Sequence, residues 1–144
     1  MQLISKILVG VDGSKAGEKA LEYAISITKI FNAKLYILHV IEESKVVVAQ
    51  DSAIYPSLIE TMERQGRDIL NRSLEYARSM GVDAEGLLET GADAADTIIN
   101  VANRLGVDMI IVGSRGLRGL TRFLLGSVSE KVIRYANRPV LVVH

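Results

Sequence analysis

Residues 112–129 read Val112-Gly-Ser-Arg-Gly-Leu-Arg-Gly-Leu-Thr-Arg-Phe-Leu-Leu-Gly-Ser-Val-Ser129, and what flanks this stretch decides the fold. Ahead of it, Met109-Ile110-Ile111-Val112 is apolar and β-branched, the composition of a buried strand. Behind it, Ser127-Val128-Ser129-Glu130-Lys131-Val132-Ile133 reads as the first turns of a helix, with Ser127 and Glu130 spaced as a capping box. A strand thus feeds a glycine-studded loop, and the loop opens a helix.

Two chemistries fit that loop. Glycines let a backbone approach a ligand closely, and the free N–H groups at a helix start attract an anion, for which phosphate is the natural guest. Arg115, Arg118 and Arg122 could add charge-assisted bonds to phosphate oxygens. The plain alternative is architectural: Gly113 ends a strand, Gly116 and Gly119 make turns, and the arginines sit in solvent. The spacing is not that of a Walker loop, because no Gly-Lys-Ser/Thr ending follows.

Outward from the loop, apolar runs alternate with helix-periodic segments. Residues 5–11 (SKILVGV) form a strand-length apolar run, as a central parallel strand does when both its faces are covered. Asp12-Gly13-Ser14 turns the chain into a helix from Ala16 to Phe31, broken at Asn32-Ala33. Lys34 to Ile41 is a second strand, which makes the opening a βαβ unit. The segment Glu42 to Pro56 reads as a loop, with Asp51, Ser52 and Pro56 as its marks, and is expected to be mobile or to meet a partner. A helix follows from Ser57 to Met80, with Gly66 inside it at a cost of up to about 1 kcal/mol relative to Ala. Then come a half-polar strand from Ala84 to Thr90, expected at a sheet edge, and a helix capped by Asp93 and closed by Gly106. After the glycine loop, a helix from Ser127 to Ala136 and a strand from Pro139 to His144 complete the chain. Strands and helices alternating at these lengths predict a single-domain, doubly wound parallel α/β sheet.

Composition narrows the chemistry further. The 144 residues carry 17 Lys plus Arg against 17 Asp plus Glu, so bulk charge makes no case for a nucleic-acid partner. Cysteine is absent, which excludes disulfides, thiolate nucleophiles and cysteine-ligated metals. No apolar stretch approaches the roughly 18 residues that a membrane span needs, and no leader pattern opens the chain, so a cytoplasmic location is expected. Of the two histidines, His39 lies in an apolar strand and reads as a packing residue rather than a catalyst.

Gly113-x-x-Gly116, nine residues, then Gly126-Ser127 resembles the nucleotide-binding signature of the universal stress protein family, in its ATP-binding branch. The similarity extends to Lys6-Ile-Leu-Val-Gly-Val-Asp12-Gly-Ser14, to Leu38-His-Val-Ile41 and to Arg138-Pro-Val-Leu-Val-Val143, and so spans the chain. The resemblance implies a Rossmann-like sheet of five parallel strands in the order 3-2-1-4-5. Its switch point would lie between the strand ending near Asp12 and the one ending at Gly113, where open α/β sheets bind ligands. It further implies an adenine pocket lined by Gly10 and Val40. Asp12 would accept from ribose hydroxyls or the adenine edge, although Asp12-Gly13-Ser14 also suits an ordinary turn and cap. Gly113, Ser114, Arg115, Gly116, Arg118, Gly119, Gly126, Ser127, Val128 and Ser129 would surround the phosphates, with the Ser127 and Ser129 hydroxyls adding bonds. Leu120, Phe123, Leu124 and Leu125 would tuck the loop onto the body or a partner. The ligand implied is ATP, or AMP or ADP, with magnesium or manganese carried by the phosphates.

The last strand adds a partner. Val140-Leu141-Val142-Val143 is apolar at both parities and would be an edge strand, which invites antiparallel pairing of residues 139–144 into the homodimer usual in the family. The functional expectation is a dimeric adenine-nucleotide sensor or signalling module with an unidentified protein partner. A slow ATPase or autophosphorylating phosphotransferase is the alternative, although no general base is evident. A dimeric interaction protein with an empty crevice is a third reading, which the intact glycine spacing opposes.

Overall fold

The computed structural model describes residues 2–45, 55–115 and 125–144. The elements are β1 (Lys6–Gly10), α1 (Lys15–Phe31), β2 (Lys34–Glu42), a 3-10 turn at Glu43–Lys45, α2 (Tyr55–Ser79), β3 (Glu85–Gly91), α3 (Ala94–Leu105), β4 (Met109–Gly113), α4 (Ser127–Tyr135) and β5 (Val140–Val143). The five strands form one sheet in the order β3-β2-β1-β4-β5. Every neighbouring pair is parallel, with Val9 opposite Ile37 on one side and Ile111 on the other. The expected order is therefore found, and β3 and β5 are the edges.

Strand alternation explains why both faces are covered. Ile7 and Val9 point to one face, where they pack with Ala20, Leu21, Ala24 and Ile25 of α1 and Leu70 and Ala77 of α2. Leu8, between them, points to the other, with Ile98, Val101 and Ala102 of α3 and Val132 of α4. A central strand buried on both faces must be apolar at every position, as β1 is.

The helix ends follow their local chemistry. Asn32 in the left-handed region closes α1, and Gly106, at φ 65°, closes α3. Gly66 is explained by packing: a Cβ there would lie 2.8 Å from His39 Cδ2 and 2.9 Å from Leu88 Cδ1. The glycine lets α2 sit close on β2 and β3, which offsets its helix cost.

One expectation needs correction. Pro56 is not a loop marker; it is the second residue of α2, where its missing N–H costs nothing because first-turn N–H groups have no intrahelical acceptor. At the other end of the expected loop Glu42 is the last residue of β2 and Glu43–Lys45 form the 3-10 turn, while residues 46–54 lie outside the described residues, as do Gly116, Arg118, Gly119, Leu120, Arg122, Phe123 and Leu124. Among the described residues, no helix is long and apolar enough to cross a membrane.

Candidate functional site

A crevice of about 670 Å³ opens at the carboxyl ends of β1, β2 and β4. That falls within the roughly 300–1,000 Å³ of ordinary ligand clefts and lies where the strand order reverses. Gly10, Asp12, Val40, Gly113, Ser114, Arg115, Gly126, Ser127, Val128 and Ser129 all line it. The structure thus brings together every described residue of the candidate set, from four separate elements.

At the β1 exit, the polar groups largely satisfy one another. Asp12 Oδ1 accepts from the Ser14 backbone N–H at 2.9 Å and from the Ser14 hydroxyl. Ser14 Oγ in turn accepts from the N–H of Gly17 at 3.1 Å and caps α1. The turn-and-cap arrangement therefore exists in full. Asp12 is half-buried on the crevice wall, and its Oδ2 has no partner among the described residues.

At the β4 exit, the arrangement is the reverse. Gly126, not Ser127, is the N-cap of α4, and it provides no side-chain hydrogen bond. The capping box expected of Ser127 and Glu130 does not form, because Ser127 is already the first helical residue. The Gly126 N–H donates to Ser114 O at 2.7 Å, and Glu130 N–H returns to Gly126 O at 3.0 Å. Between them, the N–H groups of Ser127, Val128 and Ser129 find no acceptor among the described residues and edge the crevice.

The two hydroxyls differ. Ser127 is exposed, whereas Ser129 is buried, its Oγ 3.0 Å from Gly126 O and 3.3 Å from Ser114 O. Ser129 Oγ therefore ties α4 to the β4 exit. Ser114, on the crevice wall, is 2% exposed, and its Oγ has no hydrogen-bond partner among the described residues. A buried hydroxyl left unpaired is costly, so a ligand atom bonding there would recover that cost.

The glycines separate into two kinds. A Cβ on Gly113 would lie 2.8 Å from the Ala16 carbonyl carbon and 2.9 Å from its oxygen, so the absence of a side chain lets α1 pack on β4. At Gly10 a Cβ would meet Ile98 Cδ1 at 3.5 Å and Val112 Cγ1 at 3.9 Å, which is ordinary contact. Packing requires glycine at Gly113 and not at Gly10, where a methyl would add to the crevice wall instead.

Some wall residues were not anticipated from the sequence. Met62, Gln65 and Ile69 of α2, Ala94 and Ile98 of α3, Glu42 at the end of β2 and Lys45 after it all line the crevice. His39 does as well. Its Nδ1 lies 2.8 Å from Val11 O, and because a carbonyl only accepts, Nδ1 carries the proton and bonds the β1 exit to β2. Behind the crevice, Lys131 of α4 meets Asp93 Oδ2 at 3.1 Å and Asp96 Oδ2 at 3.0 Å. The Asp96 N–H, then Lys131, holds the Asp93 carboxyl below its ordinary range, and the two carboxylates push the Lys131 ammonium up. Among the described residues, no group of three or more His, Cys, Asp or Glu stands as a metal site.

The universal stress protein family model matches residues 4–144. The chain belongs to the universal stress protein family. The universal stress protein YxiE of Bacillus subtilis is 37% identical, over 98% of this chain and 99% of that protein. Among solved structures, that of the hypothetical protein MJ0577 superposes with a TM-score of 0.87 at 30% identity, covering 98% of this chain and 96% of that one. A universal stress protein solved in complex with cAMP superposes at 0.71 with 29% identity, covering 98% and 97%. The sheet order and its surrounding helices are those of this universal stress protein fold.

Proposed function

We propose that the crevice binds an adenine nucleotide and that the protein is a dimeric nucleotide sensor or signalling module. One observation carries the reading: the first turn of α4 presents three N–H groups, from Ser127, Val128 and Ser129, that no acceptor among the described residues takes, to a ligand-sized cleft. Such a helix start attracts phosphate through its N–H groups and its dipole. The unpartnered Ser114 Oγ and the half-buried Arg115 supply further polar groups on the same wall. Gly10 leaves room for a flat base beside Val40, and Asp12 Oδ2 can accept from a ribose hydroxyl. The cAMP complex of the 29% identical relative supports adenine as the base. ATP is the proposed ligand, with AMP and ADP in the same class, and magnesium or manganese would travel on the phosphates.

The dimer is proposed through β5. It is an edge strand whose Val140, Leu141 and Val142 are half-buried, and a second copy pairing antiparallel would cover that edge. Val142→Lys should shift sedimentation toward monomer; an unaltered dimer would place the interface elsewhere. The nucleotide reading is tested by calorimetric titration of the nucleotide-free protein with ATP and magnesium, followed by chromatography after long incubation. Binding with ATP recovered intact supports the sensor. Steady turnover would favour a slow ATPase, and no binding of ATP, ADP or AMP would sink the nucleotide reading.

A further inference from the structure

Two carboxylates stand at the start of α3, whose Ala94 and Ile98 line the crevice where an anion is proposed to bind. Asp93 caps α3, with Oδ1 accepting from the Asp96 N–H at 2.8 Å, and Asp96 lies in the same first turn. Ala94 and Ile98, on either side of Asp96 in sequence, line the crevice together with Ser127 and Val128. Unopposed, the two negative charges would repel a polyphosphate. A single cation answers both. Lys131, one turn along α4 from Ser127, sets its Nζ 3.1 Å from Asp93 Oδ2 and 3.0 Å from Asp96 Oδ2.

We propose that Lys131 acts on the nucleotide site as a charge-compensating residue, screening the α3 carboxylates so that the crevice accepts a polyphosphate. The inference rests on the nucleotide reading of the crevice. Lys131 does not itself line the cleft, and its amino group is engaged by the two carboxylates, so it acts through them rather than by touching the ligand. Stability is not its main contribution: the three side chains are 39%, 37% and 55% exposed, and half-exposed ion pairs add little. Its effect on a ligand is different in kind. Two carboxylates less one ammonium leave one negative charge, and removing the ammonium restores two. The added repulsion scales with the ligand's own charge and fades with salt.

The test compares ATP and AMP affinity by calorimetry, at low and high salt, for the wild type, Lys131→Gln, Lys131→Arg and the double variant Lys131→Gln with Asp96→Asn. Melting curves and far-UV CD serve as the fold control. Lys131→Gln should weaken ATP by about fivefold at low salt, weaken AMP less, and lose most of the difference at high salt. Lys131→Arg should match the wild type. The double variant recovers the wild-type local charge without the ion pair, so it should bind ATP within about twofold of the wild type. No recovery in the double variant would overturn the proposal, because Lys131 would then be propping α4 or reaching phosphate itself. Equal losses for ATP and AMP, or none in Lys131→Gln while the wild type binds, would overturn it as well. A wild type that binds neither nucleotide would bring down the nucleotide reading, and this inference with it.

Discussion

Two helices begin at the crevice, and they begin in opposite ways. α1 starts with a side-chain cap: Ser14 Oγ takes the Gly17 N–H, and Asp12 Oδ1 holds Ser14 in turn. α4 starts open: Gly126 occupies the N-cap without a side chain, and the three N–H groups that follow it have no acceptor among the described residues. Both sit at carboxyl ends of adjacent strands, β1 and β4, so position alone does not distinguish them. The difference is which orphan donors the chain satisfies internally. At α1 a side chain takes one of the first-turn N–H groups, that of Gly17; at α4 no side chain among the described residues takes any, and the helix opens onto a cleft, where an anion gains most.

The comparison can be broken from either end. The largest effect is expected at Gly113, whose missing side chain seats the first turn of α1 on β4. Gly113→Ala drives a Cβ to 2.8 Å from the Ala16 backbone, and should cost about 2 kcal/mol and lower the melting temperature by several degrees. A variant as stable as the wild type would show that α1 can shift freely there.

Next is Gly126→Asp, which closes the open end with a carboxylate. Its backbone φ of −66° suits any residue, and the new Cβ would meet Ser114 O at 3.1 Å, a contact that needs a small adjustment. The side chain would cap α4 and occupy the anion position, so ATP affinity should fall at least about tenfold while thermal stability holds or rises slightly. A loss of stability with affinity intact would contradict the open-end account. Ser14→Ala, which opens the closed end, should cost about 1 kcal/mol and weaken ATP less than Gly126→Asp does.

The smallest effect concerns acid. Asp93 accepts the Asp96 N–H and pairs with Lys131, and Asp108 accepts the N–H groups of Ser5 and Lys6 at 2.8 Å and 3.0 Å. Both carboxyls are held below their ordinary range. Their stabilisation is therefore present above the unfolded value, near pH 4, and is lost as pH falls through the lower folded values. Urea midpoints should drop modestly between about pH 4 and pH 2, and Asp108→Ala should flatten that slope.

Much of this was legible in the sequence because it depends on local pattern. The apolar runs at β1 and β4, the caps at Asp93 and Gly106, and the break at Asn32 each announce themselves within a few residues. The strand order came only from resemblance, since no local signal sets which parallel strands pair. At Ser127 and Glu130, residue types matched a capping box, yet the chain begins α4 one residue earlier than that pattern requires. Pro56 was misread because proline is as much at home in a first helical turn as in a loop. The crevice contributions of Met62, Gln65 and Ile69 depend on how α2 crosses the sheet, which Gly66 permits and no periodicity reveals. Gly113 shows the converse: its position was plain, but only the packed structure shows that it makes room for α1.

The central claim is that phosphate meets the open start of α4. It is tested most directly by following backbone amide resonances of the isotope-labelled protein during titration with ATP and magnesium. The account predicts that Ser127, Val128 and Ser129 shift strongly and saturate together, while Gly17, whose N–H is held by the α1 cap, moves little. Saturating shifts that spare residues 127–129, or that centre on α1, would contradict it.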